Sequence, residues 1–130
     1  MEVPLTREFA DSFATDWIAA WNEHDLERIL GHYADEIVFT SPFALEFSDS
    51  GDGVLRGRDE LRRYWSQALA GLPDLRFDGP YVVAPGIDSL TIVYGSVRQL
   101  IGVEEMRLDD HGRVVEARCH YRPAGEIAFP

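Results

Sequence analysis

A chain of 130 residues, 45% hydrophobic and 27% charged, fits one globular domain and excludes a disordered one. A net charge of −11 disfavours nucleic acid and anionic membranes, since both need a basic face. The single cysteine, Cys119, rules out an intrachain disulfide and points to a reducing, cytoplasmic setting. The opening residues MEVPLTREFADSF carry early acids and no apolar run, so no signal peptide is expected. No apolar stretch is long enough to span a membrane.

The first periodic segment runs from about Thr6 to Asn22, with Phe9, Phe13, Trp17 and Trp21 four residues apart along one helical stripe. Asp25 is placed to cap a second helix, whose apolar positions Leu26, Ile29, Leu30 and Tyr33 keep helical spacing. Ile37 to Ser41 reads as a strand stopped by Pro42. SDSGDG, at 48–53, is a turn between short strands. A third helix is predicted over Arg58–Ala70 and ends at Gly71 and Pro73. Four strands follow, near Leu75–Ala84, Ser89–Val97, Leu100–Leu108 and Arg113–Arg122. The connections between them are a Pro85–Asp88 turn, a tight link around Arg98 and an Asp109–Gly112 turn. Helices first and a strand meander last is an α+β pattern. The ordered core is expected over about 6–122, with 123–130 as a tail.

The segments AWNEHDLERILGHYADEIVFTSPF, GDGVLRGRDELRRYW and VEEMRLDDHGRVVEARCHY carry a family resemblance. They resemble, in order, the helix–helix–strand opening, the loop with third helix, and the closing hairpin of SnoaL-like polyketide cyclases and ketosteroid isomerases. These belong to the nuclear transport factor 2-like superfamily. The resemblance covers nearly the whole chain. It implies a cone-shaped, curved, mixed but mostly antiparallel sheet wrapped around three helices, and a dimer formed through the outer sheet face.

This fold hosts isomerases, cyclases, dehydratases and non-enzymatic transport factors, so function must be argued residue by residue. In ketosteroid isomerases a carboxylate base precedes a proline on the first strand, and a Tyr with a protonated Asp forms the oxyanion hole. Carried onto this chain, the base position falls on Ser41, the Tyr position on Trp17 and the Asp position on Glu104. SnoaL-like cyclases place an acid/base Asp on the last strand, where this chain has Cys119. The pair of histidines that scytalone dehydratase needs has no equivalent.

Strand alternation places Glu104 on one face with Met106 and Leu108, away from Glu105 and Arg107. A carboxyl group among apolar side chains is an acid/base candidate, against the alternative of a solvated or Arg-paired Glu at a rim. Ser41 shares a face with Phe39 and Ile37, where it either lines a pocket or caps the strand end. Cys119 faces inward with Ala117 and Tyr121, which turns His120 outward and argues against a Cys–His pair. Trp17, Phe43 and Tyr64 are the aromatic residues expected in the pocket wall, with Met106 and Cys119 completing the lining. His24, His32, His111 and His120 lack metal-binding spacing, so neither metal nor cofactor is expected.

Two functions follow. The first is a SnoaL-like or isomerase-type enzyme on a small apolar carbonyl compound, with Glu104 as acid/base in place of the usual Asp. The alternative is a non-catalytic ligand-binding domain or a dimeric protein-interaction module.

Overall fold

The computed structural model describes residues 5–127. Helix α1 (Arg7–Asn22) starts where Thr6 accepts a hydrogen bond from the Phe9 amide at 3.0 Å. Four-residue steps on a helix of 3.6 residues per turn drift by about 40° each, so the aromatic stripe cannot stay in one plane. Trp17, Trp21 and Phe13 are buried, while Phe9, at the far end of the drift, is 38% exposed.

Asp25 caps helix α2 (Leu26–Leu30) through the Arg28 amide. This helix is shorter than its spacing predicts, because Tyr33 leaves it to open strand β1 (Tyr33–Thr40). Tyr33 pairs with Val114, and the Val114 amide bonds to the His32 carbonyl at 2.8 Å. That ladder overrides local periodicity just after Gly31. Asp16 clamps the two helices together, bonding to Arg28 and lying 2.7 Å from His32 Nε2. The Arg28 contact, then His32, holds the Asp16 carboxyl below its ordinary value, against a partial opposing effect of burial.

Strand β2 (Val54–Arg56) is a short edge strand, and helix α3 (Arg58–Gly71) follows it. Leu75 and Phe77 were expected in the next strand but precede it; strand β3 spans Asp78–Pro85. Side chains satisfy their backbone instead of a ladder. Asn22 receives the Phe77 amide and donates to the Phe77 carbonyl, and His24 Nε2 donates to the Leu75 carbonyl at 2.9 Å. Strands β4 (Ser89–Gly95), β5 (Leu100–Leu108) and β6 (Val114–Pro123) complete the sheet. In the β5–β6 turn, the Asp109 carboxylate accepts from the His111 and Arg113 amides, and Gly112 takes a φ of 78°. The stretch expected as a tail is partly built: β6 reaches Pro123 and a 3₁₀ turn spans Ala124–Glu126. Residues 128–130 lie outside the described residues.

The strand order is β2-β1-β6-β5-β4-β3, antiparallel throughout except for the β1–β6 pair. The protein is thus α+β, with three helices against one curled, mostly antiparallel sheet. Inward positions alternate along β4 and β5, where Leu90, Ile92, Tyr94, Glu104, Met106 and Leu108 are all buried. Among the described residues no helix is long and apolar enough to cross a membrane.

Candidate functional site

Between the helices and the inner face of the sheet lies a cavity of about 490 Å³, within the range of small-ligand sites. Helix α1 contributes Trp17 and Trp21, β1 contributes Tyr33 and Phe39, and α3 contributes Tyr64 and Trp65. Phe77, Tyr94 and Tyr121 line it from the sheet side. Its exposed lining residues, Pro42, Phe43, Leu45, Glu46 and Arg98, mark the mouth. The rings form a continuous wall. Trp17 stacks on Phe77 with centroids 5.7 Å apart, and its edge meets Tyr94 at 5.1 Å.

Glu104 is the one buried acid of this interior, 4% exposed and reached from the cavity. The Tyr94 hydroxyl donates to Oε1 at 3.0 Å, and the Cys119 thiol lies 3.2 and 3.1 Å from Oε1 and Oε2. Loss of water raises the Glu104 pKa from 4.5 to about 7, against the lowering effect of the Cys119 and Tyr94 hydrogen bonds. Burial also pushes Tyr94 and Cys119 well up, as does the nearby Glu104 charge. Both therefore keep their protons near neutral pH and remain donors. Glu104 alone among the three changes protonation state in that range.

The Tyr94 bond depends on a glycine. Tyr94 and Gly102 are direct cross-strand partners, and a Cβ at Gly102 would sit 2.6 Å from the Tyr94 ring. With no side chain there, the ring lies across β5 and its hydroxyl reaches Glu104, two residues along the same face. A glycine inside a strand opposite an aromatic residue is the sequence signal for such a close approach.

The expected site residues separate into two groups. Trp17, Ser41, Phe43, Tyr64 and Glu104 line the cavity. Met106 does not: it is fully buried in the core, paired across the sheet with Leu90 and Ala117. Cys119 is also behind the wall, because it faces Glu104 directly across β5–β6 and the longer side chain covers it. Trp17, at the position that carries the Tyr in ketosteroid isomerases, spends its indole N–H inside the wall, donating to Tyr33 Oη at 3.0 Å. The Tyr33 hydroxyl accepts this bond in a fully buried part of the cavity wall, and no acceptor for its own proton is found among the described residues. Ser41 Oγ accepts from the Phe43 amide at 3.2 Å, so it caps the 3₁₀ turn at Pro42–Ala44 while lining the wall. Burial raises Tyr64 to about 12. No group of three His, Cys, Asp or Glu side chains among the described residues could hold a metal ion.

A family model described as a SnoaL-like domain matches residues 14–125. The chain belongs to the SnoaL-like family. A SnoaL-like protein of unknown function from Burkholderia thailandensis is 38% identical to this domain. The match covers 92% of this chain and 98% of that one, with a TM-score of 0.87. Two more distant structures share the fold of this SnoaL-like domain. One is a protein of unknown function with a cystatin-like fold from Methylobium petroleophilum, at 20% identity and a TM-score of 0.70, covering 97% of this chain and 85% of that chain. The other, from Kribbella flavida, is proposed as a ketosteroid isomerase; it is 16% identical with a TM-score of 0.66, covering 95% of this chain and 82% of that chain. No match emerges among curated proteins.

Proposed function

We propose that this SnoaL-like domain binds a small, planar, largely apolar carbonyl or phenolic compound and moves a proton on it through Glu104. The observation that carries this reading is a buried carboxyl group at an aromatic cavity whose pKa lies at about 7. A group half-ionised near neutral pH can both take and return a proton, which a general acid/base must do. The Tyr33 hydroxyl would hold the ligand oxygen, its own oxygen already polarised by the Trp17 N–H. Ser41 leaves the usual base position without a carboxylate, so Glu104 would have to serve in both directions.

A naphthol is a suitable probe, because its rings fit the aromatic wall and its hydroxyl mimics an enol. Wild-type protein should bind it with micromolar affinity, read by naphthol fluorescence. Binding should change across about pH 7, where Glu104 ionises. Glu104→Gln should retain binding but lose that pH dependence. No binding by the wild type would remove the cavity reading altogether. Binding that ignores both pH and Glu104→Gln would leave a carrier without chemistry.

We also infer pairing with a second copy through the outer sheet face. Val82, Val93 and Val103 form one cross-strand row there, and Val82 is 50% exposed. Sedimentation should give a dimer that Val103→Glu converts to monomer; a wild-type monomer at tens of micromolar removes this inference.

A further inference from the structure

The geometry points to a ligand that carries a carboxylate arm at the mouth end of the cavity, recognised by Arg98. The inference rests on the proposed binding role of the cavity and adds the class of molecule it selects. Arg98 is the one cationic side chain among the described residues that line this cavity. The chain has a net charge of −11, and half of its twelve arginines form an ion pair among the described residues. These are Arg28, Arg58, Arg62, Arg76, Arg118 and Arg122. Among the described residues, Arg98 forms no ion pair.

Its placement is held by other means. Arg98 sits in the turn between β4 and β5 with φ 56° and ψ 31°, and Gln99 follows at φ 59°. Two successive non-glycine residues in the left-handed region are disfavoured, so the turn is maintained against local preference. The guanidinium carbon lies 5.9 Å from the centroid of the Phe43 ring, and Phe43 packs on Tyr121 at 4.4 Å. Aromatic faces therefore hold this cation at the rim and leave its hydrogen-bond donors free for an anion. The two ends of the cavity then differ in chemistry. Deep inside, Glu104, Tyr94 and Tyr33 suit an oxygen that gains or loses a proton, and the mouth offers a planar, always-charged fork that fits a carboxylate. Glu46 also lines the mouth and opposes an anion there, which makes it a second handle on the same charge.

The test compares a hydroxynaphthoate with its methyl ester, both titrated fluorimetrically at about pH 6, where the probe carboxylate is ionised and Glu104 mostly is not. The carboxylate should bind about fivefold tighter than the ester, in keeping with a partly exposed charge pair, and the preference should weaken with added salt. Arg98→Gln should abolish that preference, and Glu46→Gln should enlarge it. Equal binding of the two probes to the wild type, or a preference that survives Arg98→Gln, overturns the inference. So does tighter binding of a naphthylammonium ion, which would assign the mouth to Glu46. If the ester binds and the carboxylate gains nothing, this inference alone fails. If no probe binds, the cavity reading fails with it.

Discussion

Raising the pH from about 4.5 to about 7 should remove about 3 kcal/mol of folding stability through Glu104 alone. In the unfolded chain this carboxyl ionises at its ordinary value, while in the folded protein burial delays ionisation to about 7. Across that window the native state binds the extra proton. Its contribution is therefore complete below about 4.5 and lost as pH rises through about 7. Asp16 acts in a different window and with the opposite sign. Its depressed pKa contributes stability above 3.8 that disappears as pH falls through the lowered value. Urea unfolding of wild type and Glu104→Gln over this range separates the two effects. The variant should lose the neutral limb and keep the acid one. Parallel pH curves for the two proteins would show that Glu104 ionises as readily inside as out.

Trp65→Ala should cost about 3–5 kcal/mol, a fall in Tm of about 10–20 °C for a domain of this size. The side chain is 3% exposed and meets three rings edge-on: Trp21 at 5.2 Å, Tyr33 at 5.1 Å and Phe39 at 5.4 Å. Each edge-on pair contributes beyond simple area burial, and these three rings come from two separate elements that α3 would otherwise hold less firmly. The substitution also enlarges an existing cavity, so neighbouring side chains can relax only partly into the space. Added indole should recover part of the loss, because it replaces the ring in the void. A loss below about 1 kcal/mol would show that Trp65 only borders the cavity and bears no packing role.

Much of the fold was legible because simple periodicities control it. The alternation along Leu100–Leu108 placed Glu104 on the inner face with Met106 and Leu108, and the strand has the predicted bounds. Asp25 marked a helix start by its side-chain chemistry alone. Tyr33 was misplaced because five residues of helix and a glycine cannot compete with a ladder to a strand some 80 residues away, a pairing invisible to local spacing.

At the site, the limit was depth. Alternation tells which face a side chain takes but not whether helices cover that stretch, so Met106 and Glu104 looked equivalent although only Glu104 meets the cavity. The hydrogen bond from Trp17 to Tyr33 joins residues on a helix and a strand, and no spacing rule anticipates it. Tyr94 was readable in principle from Gly102, but only once the register of β4 and β5 was known. Arg98 looked like an ordinary turn residue because its neighbours across the mouth belong to a loop more than fifty positions earlier.

Strand β6 sits between β1 and β5, and its pairing with β1 is the sheet's one parallel contact. Without it, the β2–β1 ribbon and the β5–β4–β3 meander share no backbone hydrogen bond. Phe39 meets Ala117 across that seam, a closure over more than half of the chain that local folding cannot achieve early. Cys119, which faces Glu104, also arrives only with this strand. The meander can form by short hairpin steps, but the chamber closes only when its keystone strand is inserted.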